Sequence, residues 1–69
     1  MPLERHLDSH GHVHRFVVAE NLAGWDVCEE EDSTILRQAH REDWHRVERD
    51  MQLFELKALA LKRAGWIES

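Results

Sequence analysis

Three histidines, His10, His12 and His14, occupy alternate positions in the stretch Ser9-His10-Gly11-His12-Val13-His14. On an extended strand alternate side chains point the same way, and neutral imidazole is a ligand for zinc, nickel or copper ions. The spacing is therefore that of a candidate metal site. Same-face neighbours on a strand stand ~7 Å apart, whereas two nitrogens bound to one zinc approach to about 3.5 Å. Metal binding thus requires the chain to bend, and Gly11 is where it would. The competing reading is structural: His14 shares the parity of Phe16 and Val18 and leads into a strand.

Other reactive side chains carry less. His45 and Glu48 sit three apart on a helical stretch and could form an acid/base pair or, with Arg49, an anion site, but Trp44 and Val47 already explain this stretch as the first turn of a core-facing helix. Cys28 lies among Asp26, Glu29 and Glu30, neighbours that oppose the lowered pKa a nucleophilic thiol needs. There is no phosphate-cradling glycine loop, paired-cysteine zinc spacing or serine-nucleophile elbow. The chain is expected to be neither an enzyme nor a cofactor carrier.

Charge is segregated along the chain. Of its net −5, the segment from Glu20 to Asp32 holds six acids and no Lys or Arg, whereas residues 33–69 hold seven bases against six acids. The tip Glu29-Glu30-Glu31-Asp32 forms an acidic patch suited to a basic protein partner. Such a patch repels phosphate backbones, which disfavours nucleic acid and leaves only a helix-side variant through Arg41, Arg46 and Arg49. The longest apolar run falls short of the ~18–20 residues of a membrane span and the N-terminus lacks the core of a secretion signal, so a cytoplasmic location and no membrane partner are expected.

The elements that position these groups follow from periodicity. Residues 1–11 show no regular order and read as a flexible tail. Residues 12–69 read as a single β-β-β-α domain. Val13, Phe16, Val17 and Val18, then Trp25 and Val27, then Thr34, Ile35 and Leu36 mark three short strands. Asn21-Leu22-Ala23-Gly24 supplies the first hairpin loop and Glu31-Asp32 a tight second turn. Facing Glu20 with Trp25 sets Val18 opposite Val27, and the second turn then sets Leu36 opposite Val27 and Arg37 opposite Asp26. From Trp44 the period becomes helical: Trp44, Val47, Met51, Phe54, Ala58 and Leu61 form one stripe. Asp43 is the expected N-cap, and Gly65 the residue past the C-cap, with Trp66 folding back onto Leu61. The fold class is α+β: a three-stranded antiparallel meander followed by one long C-terminal helix packed on one face. In element order this is similar to small DNA-binding domains that lay a three-stranded sheet in the major groove. The outer face, however, offers only Arg15 and Arg37.

Two apolar surfaces remain unused by this arrangement. Leu53, Leu56, Leu59 and Ala60 lie off the core stripe, and the sheet's outer face would expose Val17, Cys28 and Ile35. A domain of 69 residues with one cysteine has little core and no disulfide to add to it, and a two-fold dimer is the economical cover. The chain reads as a small homodimeric interaction or regulatory module. Nucleic-acid binding through the helix-side arginines and metal binding by the histidine tail are the alternatives.

Overall fold

The computed structural model describes residues 3–69. Five strands, β1 (Leu3–Ser9), β2 (His12–Asn21), β3 (Gly24–Glu31), β4 (Thr34–Arg41) and β5 (Ile67–Glu68), and one helix, α1 (Trp44–Arg63), follow in the order β1-β2-β3-β4-α1-β5. All pairings are antiparallel, and the sheet order is β4-β3-β2-β1-β5.

The expected three-stranded meander is thus corrected to a five-stranded sheet, and residues 3–9 of the expected tail are one of its strands. Residues 1 and 2 of that tail lie outside the described residues. Two features hid β1. Its inward positions are Leu3, Arg5 and Leu7, so a guanidinium interrupts the apolar alternation. In the folded chain Arg5 is matched by Glu55 of α1 and by Glu68 of β5, the latter at 2.7 and 2.8 Å. The turn into β2 is only His10-Gly11, with φ of 50° and 83°, the two left-handed residues of a turn whose twist suits a hairpin. Leu7 then lies opposite His14 and is fully buried.

The β2–β3 hairpin has the expected register: Glu20 pairs with Trp25 and Val18 with Val27. The turn that follows does not. It falls at Asp32-Ser33, both left-handed, because Asp32 is tied to β2: its carboxylate accepts from the Val13 N–H at 2.8 Å, and its own N–H donates to the Val13 carbonyl at 2.9 Å. A bulge beside Glu29 and Glu30 shifts the register further, so that Val27 faces Ala39 and Glu29 faces Arg37. The expected pairs Leu36–Val27 and Arg37–Asp26 are therefore not formed. The bulge also turns both Leu36 and Arg37 toward the helix side, where each borders a recess against α1. A bulge lets adjacent residues share a face because two of them oppose one on the partner strand.

The helix begins and ends where its caps require. Asp43 accepts from the His45 N–H at 3.0 Å. At the other end Trp66 donates to the Leu61 carbonyl and Gly65 to that of Lys62, each at 3.0 Å, the paired bonds of a Schellman ending. Gly65, at φ 102°, turns the chain back so that Ile67–Glu68 joins β1 as a short fifth strand. Val47, Phe54 and Ala58 are buried against Leu7, Phe16, Val18 and Val27, with Met51 and Leu61 packed beside them. Phe16 and Phe54 meet at 4.8 Å between ring centroids. Trp44, at the end of the stripe, is more open and meets Trp25 at 5.3 Å between ring centroids, the rings tilted by 56°.

Two substitutions test this packing. Leu7→Ala is expected to lower unfolding free energy by about 2–5 kcal/mol, read from urea denaturation, whereas a mobile tail would leave the midpoint unchanged. Gly24→Ala is expected to be comparably damaging, since a Cβ there would lie 2.4 Å from the Arg41 carbonyl oxygen at a φ of 132°.

Candidate functional site

The helix lies over β1, β2 and β3 and leaves β4 largely uncovered: only Ala39 and Arg41 of that strand are even half-buried. A trough therefore runs between β4 and one side of α1. Helical spacing sets Arg46, Arg49, Leu53, Lys57 and Ala60 on that side of the helix. The trough holds two recesses of different character.

The first, of about 300 Å³, is bordered by Leu36, Ala60, Leu61, His14, Glu29 and Lys57. Its floor is a polar chain inside the core. Glu29 follows Val27 by two residues on β3 and so faces inward, where it is only 1% exposed. Lys57, one helical turn beyond Phe54, reaches down and donates to both Glu29 oxygens at 2.9 Å. His14 meets Glu29 through Nε2 at 2.8 Å and Glu31 through Nδ1 at 3.0 Å. Ionised carboxylates only accept, so both contacts are complete only when both ring nitrogens carry hydrogen. Burial pushes the Glu29 carboxyl up, yet the hydrogen bonds and charges of Lys57 and His14 outweigh it and leave its pKa below the ordinary 4.5.

The second recess, of about 200 Å³, is bordered by Arg37, Arg41, Arg46, Arg49, Asp50 and Leu53. Asp50, 4% exposed, accepts from Arg41 at 2.9 and 3.4 Å and raises that guanidinium's pKa. Sequence reasoning grouped Arg41, Arg46 and Arg49 but placed Arg37 on the outer face. The bulge in β4 that moves it is not legible from residue types alone.

The three histidines do not converge. His10 is in the β1–β2 turn, His12 pairs with Asp32 at 2.6 Å, and His14 is committed to Glu29 and Glu31. Among the described residues no three His, Cys, Asp or Glu side chains are arranged to hold a metal ion. The acidic patch is also divided. Glu29 is buried, Glu30 pairs with Arg15 at 3.0 Å, and Glu31 and Asp32 each contact a histidine while keeping side chains 42% exposed.

Of the apolar surface residues, Leu53, Leu56, Leu59, Ala60 and Ile35 are exposed, Leu56 most at 64%. Val17 and Cys28 are half-buried on the sheet's outer face, which β1 makes more polar than β2 and β3 alone suggest. Arg15 lies between Glu30 and Glu4, and Glu4 also meets His6 at 3.2 Å. Burial, followed by the charge of Glu30, pushes the Cys28 thiol up, against a nucleophilic role. His45 and Glu48 contact each other at 3.6 Å on the solvent side of α1.

By architecture the molecule is an α+β protein with a single helix on one face of an antiparallel sheet. No protein-family model, curated protein or solved structure matches the chain. No helix among the described residues is long and apolar enough to cross a membrane.

The charge network makes stability depend on pH from both sides. A carboxyl whose pKa is lower folded than unfolded contributes stability above its unfolded value and loses it as pH falls through the folded one. Glu29 and Asp32 behave so, and so does Glu68, held down to about 2 by hydrogen bonds from Arg5 and Lys62. His12 and His40 are raised above the ordinary 6.5, chiefly by hydrogen bonds to Asp32 and Asp26, and act in the opposite sense. Their contribution is complete below 6.5 and is lost as pH rises through the raised values. Maximal stability, measured by urea unfolding across pH, is therefore expected between 4.5 and 6.5. Glu29→Gln is expected to cost about 1–3 kcal/mol at pH 6 and to flatten the acid side of that profile.

Proposed function

We propose that the chain is a small homodimeric interaction module whose two copies join along the free edge of β4. The observation that carries this reading is the contrast between the two edges of the sheet. At one edge β5, two residues long, pairs with Leu7 and Asp8 of β1, and Glu68 is bridged by Arg5 and Lys62; short, charged strands are one way proteins discourage unwanted pairing. The other edge is β4, eight residues long, carrying Ile35 and Leu36 more than half exposed and neither Lys nor Pro. Arg37, Arg41 and the bulge at Leu36 partly guard this edge, yet its length and its exposed aliphatic pair leave it open to another strand.

An antiparallel pairing of β4 with its copy about a two-fold axis would set Thr34 of one copy opposite Arg41 of the other and join the two through backbone hydrogen bonds. Two faces of one continuous sheet would be retained, with both helices on the same side and the two troughs between them. Leu53 and Ala60 line the walls of that space, while Leu56 and Leu59 lie farther from it and suit a protein that the dimer engages.

Light scattering behind size exclusion is expected to report about twice 8.2 kDa. The double variant Ile35→Lys with Leu36→Lys, which charges the edge, is expected to run as a monomer, and Leu56→Glu to leave the dimer intact. A wild-type monomer at micromolar concentration would overturn the dimer, and dissociation by Leu56→Glu alone would move the interface off β4.

A further inference from the structure

The arginine recess has a chemistry that the pairing of two edges does not use. Arg37 and Arg41 from β4 and Arg46 and Arg49 from α1 border a space of about 200 Å³, with Asp50 the single carboxylate among its lining residues. Asp50 is buried and already engaged by Arg41. The other Lys and Arg ion pairs among the described residues involve Arg5, Arg15, Lys57 and Lys62, so Arg37, Arg46 and Arg49 have no carboxylate within ion-pair reach. In a chain of net charge −5, three uncompensated guanidinium groups collected around one concavity form a local positive site against an acidic background. Like charges gathered in this way repel one another, and a multivalent anion relieves the repulsion. Arginine suits that role because its planar fork donates two parallel hydrogen bonds to a phosphate or carboxylate.

The adjoining recess decides what kind of anion. It is larger, about 390 Å³, shares Arg41 and Arg46 with the first, and adds His40, Glu42 and Asp43. Asp43 uses one oxygen to cap the helix; its other oxygen and the Glu42 carboxylate repel a second phosphate and accept hydrogen bonds from hydroxyl groups. A nucleic-acid backbone, which repeats its charge along its length, fits this neighbour poorly. One phosphate attached to a hydroxylated body fits both recesses.

We propose that the trough between β4 and the first half of α1 binds a phosphomonoester of a small polyhydroxylated molecule, with Arg37, Arg46 and Arg49 on the phosphate and Glu42 and Asp43 toward the hydroxyls. Arg41, held by Asp50 through Nε and one terminal nitrogen, borders both recesses. The site is complete within one copy, so it stands or falls apart from the dimer.

The test is a titration of the full ¹⁵N-labelled chain with ribose 5-phosphate, with inorganic phosphate and with a short single-stranded oligonucleotide at matched ionic strength. The arginine Nε–Hε resonances are followed throughout. Saturable shifts of Arg37, Arg46 and Arg49 are expected with ribose 5-phosphate at or below a Kd of ~1 mM, and about tenfold weaker binding is expected with inorganic phosphate, which makes no hydroxyl contacts. Arg46→Gln with Arg49→Gln, at exposed positions, is expected to lower that affinity at least about tenfold with the unfolding midpoint unchanged. Glu42→Gln is expected to weaken ribose 5-phosphate and leave inorganic phosphate unaffected. Absence of saturation up to ~10 mM, or equal binding by the double variant, would overturn the proposal. So would an oligonucleotide that binds more tightly per phosphate than ribose 5-phosphate does, since the trough would then be a nucleic-acid surface.

Discussion

One helix has to cover five strands. At ~4.8 Å per strand the sheet is about 19 Å across, whereas a helix with its side chains is about 10–12 Å wide. Some inner face must stay open, and what decides which part is the position of the helix. Here it is held over β1, β2 and β3 by Leu7, Phe16, Val18 and Val27 beneath Val47, Phe54 and Ala58. The apolar core consists of those seven residues, and the inner face of β4 stays open beside them.

Ion pairs mark the borders of that core. Arg5 of β1 meets Glu55, Glu29 of β3 meets Lys57, and Arg41 of β4 meets Asp50, so three strands are each linked to the same helix at a different point along its length. Replacing such pairs with apolar residues is often neutral or stabilising. Their use here is better understood as directional: a hydrocarbon contact tolerates sliding of the helix, whereas a lysine that bridges both oxygens of a buried carboxylate does not. Glu29 is the most demanding of the three, because a carboxylate removed from water has to be matched on every side. Lys57 and His14 do this from above and from the neighbouring strand.

The same geometry distributes function. On the β1 side a short strand and the ion pairs of Glu68 cover the Leu7–Asp8 end of the edge. The β4 side is left with a free edge, two exposed aliphatic residues and a trough whose walls are basic at one end and apolar at the other. Pairing and ligand binding would both use this side, through different groups: the edge offers backbone hydrogen bonds, and the trough offers side chains.

Much of this was legible in residue order. The α1 stripe, its Asp43 cap, the Gly65 ending and the β2–β3 register all rest on local rules, since each depends on residues within one turn or one hairpin. The sequence by itself also determined that the apolar supply exceeds one small core, because Leu53, Leu56 and Leu59 are off the stripe whatever the helix packs against. Only the tertiary structure decided that Leu3–Ser9 is a strand, because Arg5 faces inward solely on account of Glu55 and Glu68, fifty and more residues away. It likewise decided the register of β4, through the bonds of Asp32 to Val13 and a bulge beyond the turn, and with that register the meeting of Arg37 with the helix-side arginines. It also decided the fate of His14, whose partners Glu29 and Glu31 lie on another strand. Local periodicity states which face a side chain occupies; which charges wait on that face is set by the chain's return from a distance.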